Sequence, residues 1–276
     1  MTVTENIDQK AQRLREIIAS FDSAIVAYSG GVDSALVGHF VHDTLGPTNS
    51  LIITAVSPSL AEYELESARS LAELRGWNHR TISTNEMDDQ RYMRNDGARC
   101  FFCKTELYEQ LKRIASTSEF NVIANGANRD DLGDYRPGMK AATRYAIRSP
   151  LLEADLGKDD VRALALEAGL PNWDKPAQPC LSSRIPYGTH VTVEALSMIS
   201  KAEKHLRDLG FTDCRVRHYG ETARVEIPLD MVAVYSQDHV RDQAIAGILA
   251  VGYQQVELDP NGLRSGNLND ALKSRR

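Results

Sequence analysis

Residues 24–40 contain the feature that most limits the possible fold, the sequence AIVAYSGGVDSALVGHF. A short apolar run leads into the polar cluster SGGVDS and then into a second apolar run with helical spacing, which ends at a glycine at position 46. This order is typical of a buried strand that turns into a helix. Because the first N–H groups of a helix lack intrahelical partners and the helix dipole is positive there, such a junction attracts anions. Residues 29–34 are therefore predicted to bind phosphate.

Strand-like and helix-like segments continue to alternate after this junction. Further strand candidates lie at 50–57, 78–85 and 121–128, with helical patterns between them. This alternation predicts an α/β fold with a doubly wound parallel sheet and right-handed crossovers.

A Pro- and Ser-rich stretch at 171–189 interrupts the alternation and cannot form one regular element. Beyond it, two helical patterns and three strand patterns predict a smaller α+β unit of ordinary domain size. We therefore predict a nucleotide-binding domain at 1–185 and a C-terminal α+β domain for substrate binding or oligomerisation at 186–276.

Charge and hydropathy exclude several classes of protein. The 276 residues carry a net charge of −6, which argues against binding along a nucleic-acid backbone. No apolar run is long enough to span a bilayer, and the polar N-terminal sequence lacks the pattern of a secretion signal. We expect a cytoplasmic protein with no membrane partner, whose four cysteines stay reduced and serve as ligands, nucleophiles or core residues.

Three cysteines have a spacing that suggests a metal centre. Cys100 and Cys103 form a C-x₂-C pair just before a predicted helix, and Cys180 lies in the distant sequence QPCLSSR. Three thiolates can hold a [4Fe–4S] cluster with one iron left open, whereas a closed zinc site needs a fourth ligand, from Cys214 or a histidine. The alternative is that the three cysteines are unrelated core residues.

The cluster SGGVDS resembles the PP-loop of ATP pyrophosphatases, which cleave ATP between the α and β phosphates and adenylylate a substrate. Neither the Walker pattern nor the dinucleotide-binding pattern is present. The resemblance implies that Asp33 lies near the phosphates or their Mg²⁺, and that four small residues hold the pyrophosphate end of ATP: Ser29, Gly30, Gly31 and Ser34. A plain strand–helix turn is the structural alternative.

Further motifs make the chain similar to the LarE family from about residue 24 to residue 269. They are NRDDLGDYRPGMKAA, NWDKPAQPCLSSRIPYGT and CRVR followed by ARVEIP, and DYRPG and SSRIPYG are more specific than the PP-loop. LarE proteins thiolate pyridinium-3,5-biscarboxylic acid mononucleotide, a step toward the nickel-pincer cofactor of lactate racemase and related enzymes. The resemblance implies that ATP adenylylates a carboxylate, sulfur attacks the activated carbonyl and AMP leaves. It also implies a homo-oligomer.

The resemblance implies roles for two groups of charged residues. Asp33, Asp130 and Asp131 are candidates to hold Mg²⁺, with Asp131 assigned to the ATP site, although aspartate is also common in turns. Arg215 and Arg217 alternate along a strand, so both face one side, and the resemblance implies that this side binds the substrate's phosphate. The alternative for the arginine pair is a solvated charged face.

The remaining site residues lie beside the cysteines. The resemblance implies that Lys104 meets the adenylate and that Ser183 and Arg184 orient the reacting carbonyl. Glu226 also matches a family position, without an assigned role.

The source of the sulfur has two alternatives. In one branch of the family a single cysteine, corresponding to Cys180, gives up its own sulfur and becomes dehydroalanine. In the other branch three cysteines carry a [4Fe–4S] cluster whose open iron binds the transferred sulfide. Because Cys100 and Cys103 accompany Cys180, we predict the second route, with the sulfide donor unknown.

Three rival functions use the same motifs. A PP-loop tRNA thiolase requires a basic surface that the net charge disfavours. An NAD or GMP synthetase uses ammonia and needs no cysteine. The third rival is a metal-carrying scaffold that does not turn over ATP.

Overall fold

The computed structural model describes residues 6–133 and 137–264, and these form two compact units. The first unit contains the described residues of 1–57, 64–86 and 100–178, and the second contains those of 58–63, 87–99 and 179–276. Two short segments of the N-terminal half thus belong to the second unit. The division into functional domains at 1–185 and 186–276 stays a prediction.

The first unit is built on a four-stranded parallel sheet. Its strands are β1 Ala24–Ala27, β2 Ser50–Val56, β3 His79–Ser83 and β4 Val122–Ala124. They lie in the order β3-β2-β1-β4, with Ala24 of β1 aligned with Ser50 of β2 and Val122 of β4. This arrangement confirms the predicted α/β fold with a parallel sheet.

Helices cover both faces of this sheet. In chain order the described α-helices of both units are α1 Ile7–Ala19, α2 Val32–Leu45, α3 Glu62–Leu74, α4 Gln90–Met93, α5 Arg99–Ser118, α6 Pro137–Arg144, α7 Pro150–Glu153, α8 Lys158–Glu167, α9 Val193–Asp208, α10 Val232–Tyr235 and α11 Asp238–Ala250, and α4 and α9 to α11 belong to the second unit. Val26 of β1 packs into a core shared with α1, α2 and α8, whereas Ile25 packs into a core shared with α5 and α6. Since successive strand residues face opposite sides, both faces of the sheet are buried.

The second unit has a three-stranded mixed sheet. Its strands are β5 Arg215–Tyr219, β6 Thr222–Glu226 and β7 Gln255–Leu258, with β5 antiparallel to β6 and β7 parallel to it. Leu206 of α9 and Ile248 of α11 pack on the sheet in one apolar core with Val216 and Val225. The long helices α9 and α11 and the three strands correspond to the two helical and three strand patterns predicted for this part of the chain.

One helix begins earlier than the sequence pattern indicates. Cys100 and Cys103 were expected just before a helix, but α5 starts at Arg99, so both cysteines lie in its first two turns. The expectation was wrong because Phe101 packs against the apolar core on that face of the sheet and draws the turn into the helix. The short helices α4, α6, α7 and α10 were also not predicted.

No helix among the described residues is long and apolar enough to cross a membrane.

We expect that Gly247→Ala destabilises the second unit, although alanine favours a helix over glycine by about 1 kcal/mol. A methyl group on Gly247 of α11 collides with the ring of His205 of α9, whose Nε2 lies 3.0 Å from the Gln243 carbonyl. The overpacking should cost about 1–3 kcal/mol in the free energy of unfolding, measured by denaturant titration. The double variant His205→Ala/Gly247→Ala should recover stability relative to His205→Ala alone, and a further loss there would contradict the clash.

Candidate active site

The predicted phosphate loop, residues 29–34, connects β1 to α2. Gly31 caps the amino end of α2 with an extended backbone, at φ −79° and ψ 160°. The hydroxyl oxygens of Ser29 and Ser34 lie 3.1 Å apart, and Ser34 Oγ donates to the Gly31 carbonyl at 3.1 Å. The loop therefore places two hydroxyl groups beside the amino end of a buried helix, which is an arrangement that favours an anion.

Glycine is required at the second position of this loop. Gly30 has a φ of 81°, in the left-handed region that other residues seldom adopt. A Cβ there would lie 3.3 Å from Ala68 Cβ and 3.6 Å from the Glu64 carbonyl oxygen, both on α3. The first half of α3 thus packs directly against the back of the loop.

The carboxyl end of β4 also approaches the loop at its main chain. A Cβ on Gly126 would lie 2.6 Å from Ser34 N and 2.9 Å from the carbonyl carbon of Asp33. Two residues further on, Asn128 Nδ2 donates to Asp33 Oδ1 at 2.7 Å. The loop therefore lies at the carboxyl edge of the sheet, where open α/β sheets bind their ligands.

Two carboxylates of this region influence each other. Burial raises the pKa of Asp33, and the nearby Asp131 carboxylate raises this pKa further, against the hydrogen bond from Asn128. Asp131 is buried and its Oδ2 accepts from Asn128 N at 3.2 Å. A divalent cation would relieve this repulsion, so Asp33 and Asp131 fit a magnesium site in charge and ligand type.

The third acidic candidate has a different partner. Asp130 Oδ2 accepts from Lys158 N at 2.6 Å, at the amino end of α8. This contact satisfies one of the N–H groups that have no partner within the helix. It accounts for Asp130 as a helix-capping residue, and Asp33 with Asp131 is the better pair for a cation.

Cys100 and Cys103 lie three residues apart on α5, so they share one face at the start of this helix. Cys100 is exposed and Cys103 is half-buried. Lys104 follows on the same helix, and its Cγ lies 3.2 Å from the position of a Cβ on Gly138, so the start of α6 packs closely against it. The first unit thus presents two thiols and an amine in the first two turns of one helix.

Cys180 lies in the second unit, at the start of a short 3₁₀ helix, Leu181–Arg184, and is exposed. Buried arginines hold the main chain around it. Three guanidinium groups donate to carbonyls of this segment: Arg99 to Ser182 at 2.6 Å, Arg184 to Pro179 at 2.6 Å and Arg217 to Ser183 at 2.7 Å. The segment that carries Cys180 is therefore rigidly placed within its unit.

Two of these arginines also form buried ion pairs. Arg184 Nε lies 2.8 Å from Glu203 Oε1, and Arg217 Nη2 lies 2.8 Å from Glu226 Oε2. Burial lowers the pKa of Arg215, and the charges of Arg184 and Arg217 lower it further. The second unit therefore contains a buried cluster of positive charge.

The burial of Arg215 and Arg217 excludes the alternative that they form a solvated charged face. They are only 8% and 3% exposed. Glu226, which had no assigned role, is the partner of Arg217. Arg184 is only 1% exposed and its contacts hold the Cys180 segment, so its predicted part in orienting a carbonyl stays a prediction.

Cys214 does not have the surroundings of a fourth metal ligand. It is 1% exposed, and its thiol lies 3.6 Å from the Glu203 carbonyl. Burial, with the Glu203 charge as a smaller cause, raises the pKa of Cys214 to about 12. Within the described residues no group of three or more His, Cys, Asp or Glu side chains could hold a metal ion, and the iron–sulfur cluster stays a prediction.

We expect the cysteines of reduced, cluster-free protein to differ in reaction with a thiol reagent. Exposed Cys100 and Cys180 should react within the first phase, whereas protonated, buried Cys214 should react only after unfolding. Peptide mapping by mass spectrometry after timed labelling measures the order. A Cys214→Ala variant that labels like the parent protein is the control, and early modification of Cys214 would contradict its assignment to the core.

Sequence reasoning missed three residues that organise these sites. Asn128, which holds Asp33, lies in the polar run that was already noticed, so its amide was a detectable signal. Arg99 adjoins Cys100 in the sequence, but the local pattern does not indicate its contact with the distant Ser182 carbonyl. Glu203 gave no signal, because it is an acidic residue on an amphipathic helix and only its burial reveals its role.

Comparison with known proteins gives two levels of similarity. The NAD synthase family matches residues 6–99. The NH₃-dependent NAD⁺ synthetase of Fusobacterium nucleatum is 36% identical over 78 residues, which cover 28% of this chain and 30% of that protein. This similarity is restricted to a minor part of the chain.

Similarity over nearly the whole length is found with other proteins. A Lactiplantibacillus plantarum protein named pyridinium-3,5-bisthiocarboxylic acid mononucleotide synthase is 39% identical over 249 residues, which cover 90% of this chain and 89% of that protein. An uncharacterized protein of Synechocystis sp. is 44% identical over 266 residues, which cover 96% of this chain and 99% of that protein. Both alignments extend far beyond the part of the chain that the NAD synthase family matches.

Proposed function

Because the chain belongs to the LarE family, we propose that it is an ATP-dependent sulfur transferase acting on pyridinium-3,5-biscarboxylic acid mononucleotide. It adenylylates a carboxylate of this substrate, releases pyrophosphate and replaces AMP by sulfur to give a thiocarboxylate for nickel-pincer cofactor synthesis. The observation that carries the proposal is the combination of a phosphate loop at the amino end of α2 with exposed thiols and a buried arginine cluster in one chain.

The phosphate loop performs the first half of the reaction. Ser29, Gly31 and Ser34 receive the pyrophosphate end of ATP, because their hydroxyl and N–H groups surround the amino end of α2. Asp33 and Asp131 would hold Mg²⁺, which would supply positive charge to the phosphates during adenylylation. Lys104 stabilises the adenylate from α5.

The arginine cluster receives the substrate's phosphate. Arg215 and Arg217 are both candidates for direct contact, and the Arg217 guanidinium also binds Glu226 and the Ser183 carbonyl. Guanidinium groups suit phosphate because they donate two parallel hydrogen bonds. Arg184 and Arg217 act through the segment that they hold, and so position Cys180.

In the preferred route Cys100, Cys103 and Cys180 would hold a [4Fe–4S] cluster, which would supply an added sulfide for transfer to the activated carboxylate. The thiols fit this group in type, because Cys100 and Cys180 are exposed and Cys103 shares a helical face with Cys100. In the alternative route the Cβ–S bond of Cys180 breaks, sulfur stays on the substrate and dehydroalanine remains. We further propose that the protein works in the cytoplasm and that it is a homo-oligomer. Size-exclusion chromatography with light scattering would test the oligomeric state.

The function is tested by incubating the protein with the substrate, ATP, Mg²⁺ and sulfide under anaerobic conditions. Mass spectrometry should show replacement of carboxylate oxygen by sulfur, together with AMP and pyrophosphate. An ammonia arm in place of sulfide distinguishes a synthetase, because amide formation there would overturn the proposal. Tight binding of tRNA at low salt would favour a tRNA thiolase instead.

We expect anaerobically prepared protein to contain iron and sulfide and to be brown. Cys100→Ala, Cys103→Ala and Cys180→Ala should each remove the colour and the thiolation activity, whereas Cys214→Ala should keep both. Iron and acid-labile sulfide analysis measures the content. A colourless but fully active preparation, with dehydroalanine at position 180 after turnover, would establish the sacrificial route instead.

A further inference from the structure

A turn of the chain outside the phosphate loop contacts the loop's main chain. Asn172 Nδ2 donates to the Gly30 carbonyl oxygen at 3.2 Å. Three residues later, Lys175 Nζ lies 2.6 Å from Glu64 Oε2, on the helix that packs against Gly30. Within the turn, Lys175 N donates to the Asn172 carbonyl at 3.1 Å. Residues 172–175, which we name the Asn172 turn, therefore bind both the loop and the helix behind it.

The contact with Gly30 controls the direction of a peptide group. In a trans peptide the carbonyl and the following N–H point in opposite directions, so a Gly30 carbonyl held toward Asn172 directs the Gly31 N–H away from it. The Gly31 N–H is indeed directed at Ser29 Oγ, at 3.5 Å, on the side of the loop hydroxyls. Since glycines on both sides allow this peptide to rotate easily, an external contact is needed to fix it.

The side-chain amide of Asn172 can bind the Gly30 carbonyl in only one orientation. Asn172 Oδ1 and Glu64 Oε1 are buried and have no hydrogen-bond donor among the described residues. If the amide of Asn172 were reversed, its oxygen would face the Gly30 carbonyl and the contact would become repulsive. Glu64 is only 7% exposed, and the Lys175 ammonium group is its ion-pair partner.

We propose that Asn172 is a positioning residue for nucleotide binding, which fixes the Gly30–Gly31 peptide so that the Gly31 N–H faces the pyrophosphate end of ATP. Lys175 supports it by holding the turn against Glu64. The inference rests on the proposed function only in taking residues 29–34 as the phosphate loop. It adds a determinant of phosphate affinity that lies far from the loop in sequence.

The test compares binding of pyrophosphate and of AMP by isothermal titration calorimetry, in the full chain with Mg²⁺. Asn172→Asp has the same size but loses the donor, so pyrophosphate binding should weaken by about tenfold. AMP, which lacks the β and γ phosphates, should bind within about twofold of the parent protein. Asn121→Asp is the matched control, because Asn121 also donates to a main-chain carbonyl, that of Phe21, near the other end of β1.

A second pair of variants tests the support from Lys175. Lys175→Gln should weaken pyrophosphate binding, whereas Lys175→Arg should restore it by keeping the ion pair with Glu64. The melting temperature without ligand separates positioning from a loss of folding. Unchanged pyrophosphate binding in Asn172→Asp, or an equal loss of AMP and pyrophosphate binding, would overturn the inference. A parent protein that binds neither ATP nor pyrophosphate would instead overturn the proposed function.

Discussion

Replacement of Glu203 by glutamine will lower the free energy of unfolding by about 3–5 kcal/mol, the cost of leaving one member of a buried ion pair without its partner. Glu203 is 0% exposed and accepts from Arg184 Nε at 2.8 Å and from Val216 N at 3.0 Å. Glutamine can still accept from Val216 but carries no charge. The Arg184 guanidinium then remains buried without a counter-charge.

The neighbouring charges make this loss larger than for an isolated pair. Burial alone would lower the pKa of Arg184, but the Glu203 carboxylate outweighs burial and raises it. Arg184 in turn lowers the pKa of Arg215, as does Arg217, so the three guanidinium groups repel each other. Without Glu203 this repulsion is opposed by Glu226 alone among the carboxylates in these ion pairs.

Denaturant titration of the parent protein and Glu203→Gln measures the effect. Asp208→Asn is the matched control, because Asp208 lies on the same helix and pairs with Lys204 at 2.8 Å on the exposed surface. Exposed pairs of this kind contribute about 0.3–0.5 kcal/mol. If the free energy of unfolding falls by a similarly small amount in both variants, the buried Arg184 does not depend on Glu203 for its counter-charge. Since Arg184 holds the Cys180 segment, Glu203→Gln should also speed up labelling of Cys180.

The sequence was sufficient for features that depend on local pattern. The strand at β1, the turn at 29–34 and the helix α2 follow from apolar periodicity and from glycine chemistry, which act over a few residues. The same holds for α9, α11 and the strands of the second unit. Asp33 and Asp131, which the family resemblance grouped together, also interact in the structure. The Asp131 charge adds to the effect of burial in raising the pKa of Asp33.

Features that depend on tertiary packing could not be predicted in this way. The start of α5 is set by Phe101 against a core formed by distant residues, and Glu203 differs from exposed acidic residues only by its burial. Asn172 lies 142 residues from Gly30 in the chain, and the sequence NWDK has no property that indicates such a contact. Long-range polar contacts of this type require coordinates.

Gly126→Ala will abolish most of the nucleotide chemistry, with kcat/KM for ATP reduced by about 100-fold, the cost of misplacing a catalytic element by roughly 1 Å. The added methyl group would lie 2.6 Å from Ser34 N and 2.9 Å from Ser34 Cα. These are main-chain atoms of the first turn of α2, so no side-chain rotation can relieve the overlap. The end of β4 and the phosphate loop must move apart, and Asn128 then loses its 2.7 Å contact with Asp33.

ATP–pyrophosphate exchange in the presence of the substrate measures this effect independently of sulfur delivery. Gly133→Ala is the control, since no described atom lies within 4 Å of a Cβ there. It should retain activity within about twofold, because a surface substitution of this kind changes stability by less than about 0.5 kcal/mol. A melting temperature for Gly126→Ala close to that of the control, together with the loss of exchange, would locate the damage in the phosphate loop. Exchange at the parent rate would instead mean that the loop tolerates displacement of α2, and that its geometry does not limit adenylylation.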